Sequence, residues 1–214
     1  MLSTAEARTA YWHLGEQTLM HHVTKTVERT GPGALEQAAD RYGISGGQHG
    51  LVQGLSPPRR VAAMHSLGKR MLEVDGFHRT FAWLHREDAQ VGMLVLDPED
   101  HQDKIAKIRR LAREVDRTGA DTVIFTTEAW FSAEVDHDDP RATLRATQRE
   151  DRREILATYL LRWGGDHSAW ITLFGRDEDG GLVLGDTEEL PDFAPMPLFA
   201  PILRVWEAWL SQGS

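Results

Sequence analysis

The stretch VGMLVLDPEDHQDKIAKIRRLAREVDRTGADTVIFTT, residues 91–127, decides the fold. Val91–Leu96 carries no charge and reads as a buried strand. Asp97 suits a helix N-cap and Pro98 the first helical position. Ile105, Ile108, Leu111 and Val115 then recur at helical spacing. Glu99 and Asp100 sit at the start, and Arg109, Arg110, Arg113 and Arg117 toward the end, as the helix dipole favours. Gly119 suits the position just past the helix. Thr122–Thr126 reads as a second buried strand. A crossover of this length returns a parallel strand, so the segment predicts a β-α-β unit: two parallel strands in one sheet, joined by a helix over Pro98–Thr118.

On the N-terminal side the period is two, with Phe81, Trp83 and His85 alternating with Thr80, Ala82 and Leu84. A polar turn at Arg86–Gln90 makes this a hairpin with Val91–Leu96. Before it, the pattern is helical throughout residues 1–75. One helix runs from Ser3 or Thr4 to Arg29, a second over Ala34–Tyr42, and a third starts at Ser56-Pro57 with Val61, Met64, Leu67 and Met71 as its core stripe. On the C-terminal side, a helix is predicted from Pro140 to Asp151. Strands follow at Glu154–Leu161, Ser168–Gly175 and Leu182–Gly185, with turns at Gly164-Gly165-Asp166 and Asp177–Gly181. Leu198, Ile202, Trp206 and Trp209 form a closing amphipathic helix. The expected class is α+β: a mixed sheet of about six strands with one β-α-β crossover and a C-terminal helix, preceded by an all-helical segment. The organisation is a helical segment 1–75 and an α/β domain 76–214, or one domain 1–214.

The chain has 214 residues, 41% of them hydrophobic, enough for a substantial core. Its net charge is −9. Residues 1–96 carry ten Lys/Arg against nine Asp/Glu, and residues 97–214 fourteen against twenty-four, so the acidity belongs to the second half. That balance argues against non-specific binding to nucleic acid or to an anionic membrane. There is no cysteine, which excludes disulfides, thiolate metal sites and a cysteine nucleophile and fits a cytoplasmic protein. No apolar run is long enough to span a bilayer, and Met1–Trp12 has no signal-peptide pattern.

Ligands of open α/β sheets gather at the carboxyl ends of parallel strands, which directs attention to Asp97 and Glu128. If the two strands are neighbours, about 4.8 Å apart, the two carboxylates can share a metal or a proton. Asp97 is accounted for as an N-cap, and Glu128 is the candidate catalytic residue. Asp136, His137 and Asp138, with Glu128, are candidate ligands for a divalent metal, although their spacing matches neither an EF-hand nor a zinc motif. Arg141, Arg145 and Arg149 repeat at helical spacing and are candidates for anion binding. The plainer reading pairs them with carboxylates of this chain. Ala39–Val52 carries part of a helix-turn-helix pattern, but His49 stands where that motif needs an aliphatic side chain. No phosphate-cradling glycine loop and no G-x-S-x-G elbow occurs.

Thr127-Glu128-Ala129-Trp130, followed by R-x-x-R-R-E at residues 149–154, resembles a group of small uncharacterised bacterial α/β proteins. The resemblance covers Ile105–Arg176, about a third of the chain. It implies the sheet and crossover, and transfers no catalytic residue. With no complete catalytic constellation, the reading is a soluble bacterial or phage binding protein without catalytic activity, its target a protein partner or an anionic small ligand. The alternatives are a metal-dependent hydrolase of an anionic substrate, built on Glu128, and a DNA-binding regulator using residues 34–55.

Overall fold

The computed structural model describes residues 40–43, 54–98, 101–131, 150 and 152–212. A short helical stretch, 40–42, leads to helix α1 (Pro57–Asp75). Strands β1 (Phe81–Arg86) and β2 (Ala89–Val95) follow, then helix α2 (His101–Thr118). Strands β3 (Thr122–Phe131), β4 (Arg153–Arg162), β5 (Ser168–Arg176) and β6 (Leu182–Leu190) come next. A 3-10 turn at Pro197–Phe199 leads into helix α3 (Ala200–Gln212).

The six strands form one sheet in the order β2-β1-β3-β4-β5-β6, and every neighbouring pair is antiparallel. The fold is therefore α+β, with the expected six strands, crossover and C-terminal helix. The mixed sheet is corrected in one respect. β2 and β3 do run in the same direction and α2 does join them, but β1 lies between them. The β1–β2 hairpin turns back on itself at Glu87-Asp88, so β1 takes the place next to β3. The crossover spans one strand, and no parallel ladder forms among the described residues.

The helix of the crossover also starts later than expected. Pro98 is not helical, and α2 begins at His101. Asp97 does not cap it. Its Oδ1 accepts the Thr80 N–H at 3.0 Å and its Oδ2 pairs with Arg79 Nε at 3.0 Å. The far end is as read: Gly119 sits at φ 64°, a conformation an L side chain rarely adopts.

Helices cover both faces of the sheet. On one face lie α2, the 3-10 turn and α3. Phe125 of β3, Tyr159 of β4 and Phe199 pack there with centroids 5.3–6.3 Å apart. Ile108, Leu111 and Val115 of α2 are buried against the same cluster, as their spacing required. Trp206 of α3 is anchored by its indole N–H, 2.9 Å from the Ala120 carbonyl. The opposite face is covered by α1, whose Val61, Met64, Leu67 and Met71 meet Trp83, Ile124, Leu160 and Trp170. Gly68 lets α1 come close: a Cβ there would sit 3.2 Å from His78 Nε2 and 3.3 Å from the Thr126 methyl. Ser56 occupies the N-cap position of α1, though its hydroxyl makes no cap hydrogen bond. The stretch 40–42 is tied to the end of α1, with Tyr42 donating to Asp75 at 2.6 Å and Arg41 Nε to the same carboxylate at 2.9 Å.

The helix expected over Ser3–Arg29, the helix expected over Pro140–Asp151 apart from Glu150, and the helix-turn-helix pattern Ala39–Val52 apart from Asp40–Gly43 lie outside the described residues.

Candidate functional site

Alternation along β3 places Thr122, Ile124, Thr126, Glu128 and Trp130 on the α1 face, since Ile124 packs there and successive side chains alternate. The strand stays extended to Phe131, so Glu128 and Trp130 share one face beyond the C-terminus of α1. At this end β3 and β5 finish, and β4 and β6 begin.

Glu128 is half-buried, and its Oε1 accepts the backbone N–H of His78. Burial pushes its pKa up. The His78 N–H opposes that shift, Glu154 reinforces it, and Arg176 opposes it. Among the described residues no arginine pairs with it. Arg152 stacks over the Trp130 ring at 5.0 Å. Asp97 and Glu128 are engaged by different backbone groups. They lie on either side of the lead-in to β1, Glu128 holding the N–H of His78 and Asp97 that of Thr80. The inserted strand is the physical reason.

Around Trp130 the sheet end forms an open cleft of about 650 Å³, lined by Trp130, Arg152, Arg153, Glu154, Phe174 and Arg176 among others. Trp130 is 42% exposed, a large aromatic surface for a monomer to leave in water. Arg176 is fixed by donating to the Gly76 carbonyl at 2.7 Å, which ties the end of α1 to β5. The result is a set of three guanidinium groups and an indole around one concavity in an acidic half-chain.

Behind the cleft, the α1 face holds a buried polar chain that sequence reading missed. His65 of α1 lies 2.9 Å from Thr158 Oγ1 through Nδ1 and 2.8 Å from Thr172 Oγ1 through Nε2. Thr158 continues to Thr126 at 3.1 Å, and Thr172 to Thr187 at 2.8 Å. Lys69 closes the chain at the surface by donating to Thr187 at 3.1 Å. His78 is nearly fully buried, and its ring nitrogens have no hydrogen-bond partner. Burial pushes both histidines down to about 4, with a smaller push from Lys69 on His65 and from His65 on His78. A threonine within an apolar strand gives little signal alone. Four of them form a row only once register is known.

Arg141, Arg145, Arg149, Asp136, His137 and Asp138 lie outside the described residues. Among the described residues no three His, Asp or Glu side chains converge as metal ligands, and no helix is long and apolar enough to cross a membrane.

Fold and site together define an α+β protein with an arginine- and tryptophan-lined cleft at one end of an antiparallel sheet. The family model of bacteriophage lambda protein ea47 matches residues 1–213, and the chain belongs to that family. No curated protein and no solved structure matches it.

Proposed function

We propose that this is a phage binding protein without catalytic activity, which grips an acidic segment of a protein partner in the Trp130 cleft. The observation that carries the reading is the grouping of Arg152, Arg153 and Arg176 around an exposed indole. Guanidinium groups bind carboxylates in bidentate fashion, and a Trp–Arg pair is a common core of a binding hot spot. Glu128 supports a structural role for the adjoining carboxylate, because it is occupied by a backbone N–H. Net negative charge over the rest of the chain weakens contact with nucleic acid and leaves the cleft as a local exception.

Fluorescence anisotropy with a labelled oligoglutamate peptide tests this, with a single-stranded oligonucleotide as the second arm. Binding of the peptide that falls with salt, and drops tenfold or more in an Arg152→Ala/Arg153→Ala protein, is expected. No peptide binding, or binding indifferent to the two replacements, overturns the reading. Preference for the oligonucleotide replaces the partner class.

A further inference from the structure

At the opposite end of the sheet, where α1 begins, the α1 face holds a second unusual group. Arg60 lies in the first turn of α1 and is 0% exposed. Its Nη2 donates to the Leu55 carbonyl at 3.0 Å and to Asp88 Oδ1 at 3.2 Å, while Nε and Nη1 have no partner. Buried guanidinium groups are rare and are normally paired and fully hydrogen-bonded. Here the counter-charge, the Asp88 side chain in the β1–β2 turn, is 85% exposed. An ion pair so open to water holds its partner weakly.

His85 stands beside this group. It closes β1, shares the α1 face with Trp83, and is 1% exposed with both ring nitrogens unpartnered. Burial, and then the Arg60 charge, push it down to about 4, while Asp121 works the other way. Arg60 reaches the β1–β2 turn through Asp88, and His85 stands at the end of the strand that enters that turn, so two buried groups short of hydrogen-bond partners meet at one end of the α1 face. Groups of this kind in a native fold call for a ligand or a functional reason.

We infer that Arg60 and His85 form a binding pocket for a small oxyanion of the phosphate or sulfate type, with the Asp88 carboxylate as its internal stand-in. The incoming anion displaces Asp88 outward into water, which the exposure of Asp88 makes cheap. It then takes the guanidinium donors and an N–H from His85, and the start of α1 adds its favourable dipole. The small size follows from the donors on offer, one guanidinium and one imidazole, where a single carboxylate now stands. This pocket is separate from the Trp130 cleft and does not depend on it.

The test follows the His85 ring resonances by NMR during titration with inorganic phosphate at constant ionic strength, balanced with sodium chloride. Ribose 5-phosphate serves as a second arm to distinguish a free anion from a phosphomonoester. A saturable shift of His85 is expected with at least one of the two, and the tighter names the source. Asp88→Asn removes the stand-in and should tighten binding threefold or more. Arg60→Met keeps the length of the side chain and should abolish the response. Should Arg60→Met fail to fold, Arg60→Lys should weaken the response severalfold. Arg153→Ala, at the other end of the sheet, should leave the titration unchanged. The inference is overturned if His85 responds to neither anion, if Asp88→Asn leaves the affinity unchanged or weakens it, or if Arg60→Met binds as the wild type does.

Discussion

The two faces of the sheet are built on different principles. Under α2 and α3 the interior is apolar and aromatic, with Phe125, Tyr159 and Phe199 in mutual contact and with Thr127 and Lys107 as buried polar groups toward one end. Under α1 the sheet buries Arg60, His65, His85, Thr126, Thr158 and Thr172 among a smaller set of hydrophobic side chains. The first face supplies burial energy. The second exchanges part of that energy for hydrogen bonds, and each of those is costly to leave half-made. Both sites proposed above lie at the two ends of this second face.

The largest way to sharpen the comparison is acid. His65, His78 and His85 are each held down to about 4 by burial. In the unfolded chain a histidine titrates near 6.5, so above that pH the residues are neutral in both states and cost nothing. As pH falls from 6.5 toward 4, the unfolded chain takes up protons that the folded chain refuses, and stability is lost. Each histidine contributes up to about 3 kcal/mol of that loss. Urea unfolding at pH 7.5, 6 and 5 should show a steep decline. A flat profile would mean that the histidines are open to water and the face is not dry.

The next contrast sets one residue from each face side by side. Phe125→Ala removes an aromatic ring from the apolar cluster and should cost about 3–5 kcal/mol. Thr158→Val keeps the shape but leaves His65 Nδ1 and Thr126 with one partner fewer, for about 1–3 kcal/mol. Denaturant midpoints of the two variants measure the difference. If Thr158→Val proves neutral or stabilising, the polar chain serves something other than stability.

The smallest effect concerns Glu128. Its pKa is raised in the fold, so ionisation at neutral pH works against folding and that cost disappears as pH falls through the raised value. Glu128→Gln removes the charge, while its amide oxygen can still accept the His78 N–H. A change of less than about 1 kcal/mol is expected, of either sign. A Glu128→Gln protein that loses a bound metal present in the wild type would revive the hydrolase reading.

Much of this architecture was legible in residues 91–127 and their flanks. The stripe Ile105, Ile108, Leu111 and Val115 placed α2, and the alternation in Phe81–His85 gave the hairpin. The turn residues Gly164-Gly165-Asp166 and Asp177–Gly181 separated β4, β5 and β6. Of the candidate site, Glu128 at the end of a strand was legible, but the strand was read only to Thr126, and the structure carries it through Trp130 to Phe131. Arg176, the threonine row and Arg60 were not, because each matters only through a partner far away in sequence.

Among the described residues, the sequence by itself determined which segments are helix and which are strand, because the spacing of apolar residues and the capping and turn residues act over a few positions. Strand order was decided only by the tertiary structure. Asp97 reads locally as a helix cap, yet it is spent on Thr80 and Arg79 because β1 folds back between β2 and β3. That insertion separates Asp97 from Glu128, and the cross-sheet register aligns Thr126 with Thr158 and Thr172 with Thr187. Such pairings join residues 15 to 32 positions apart, and no local pattern in the chain encodes them.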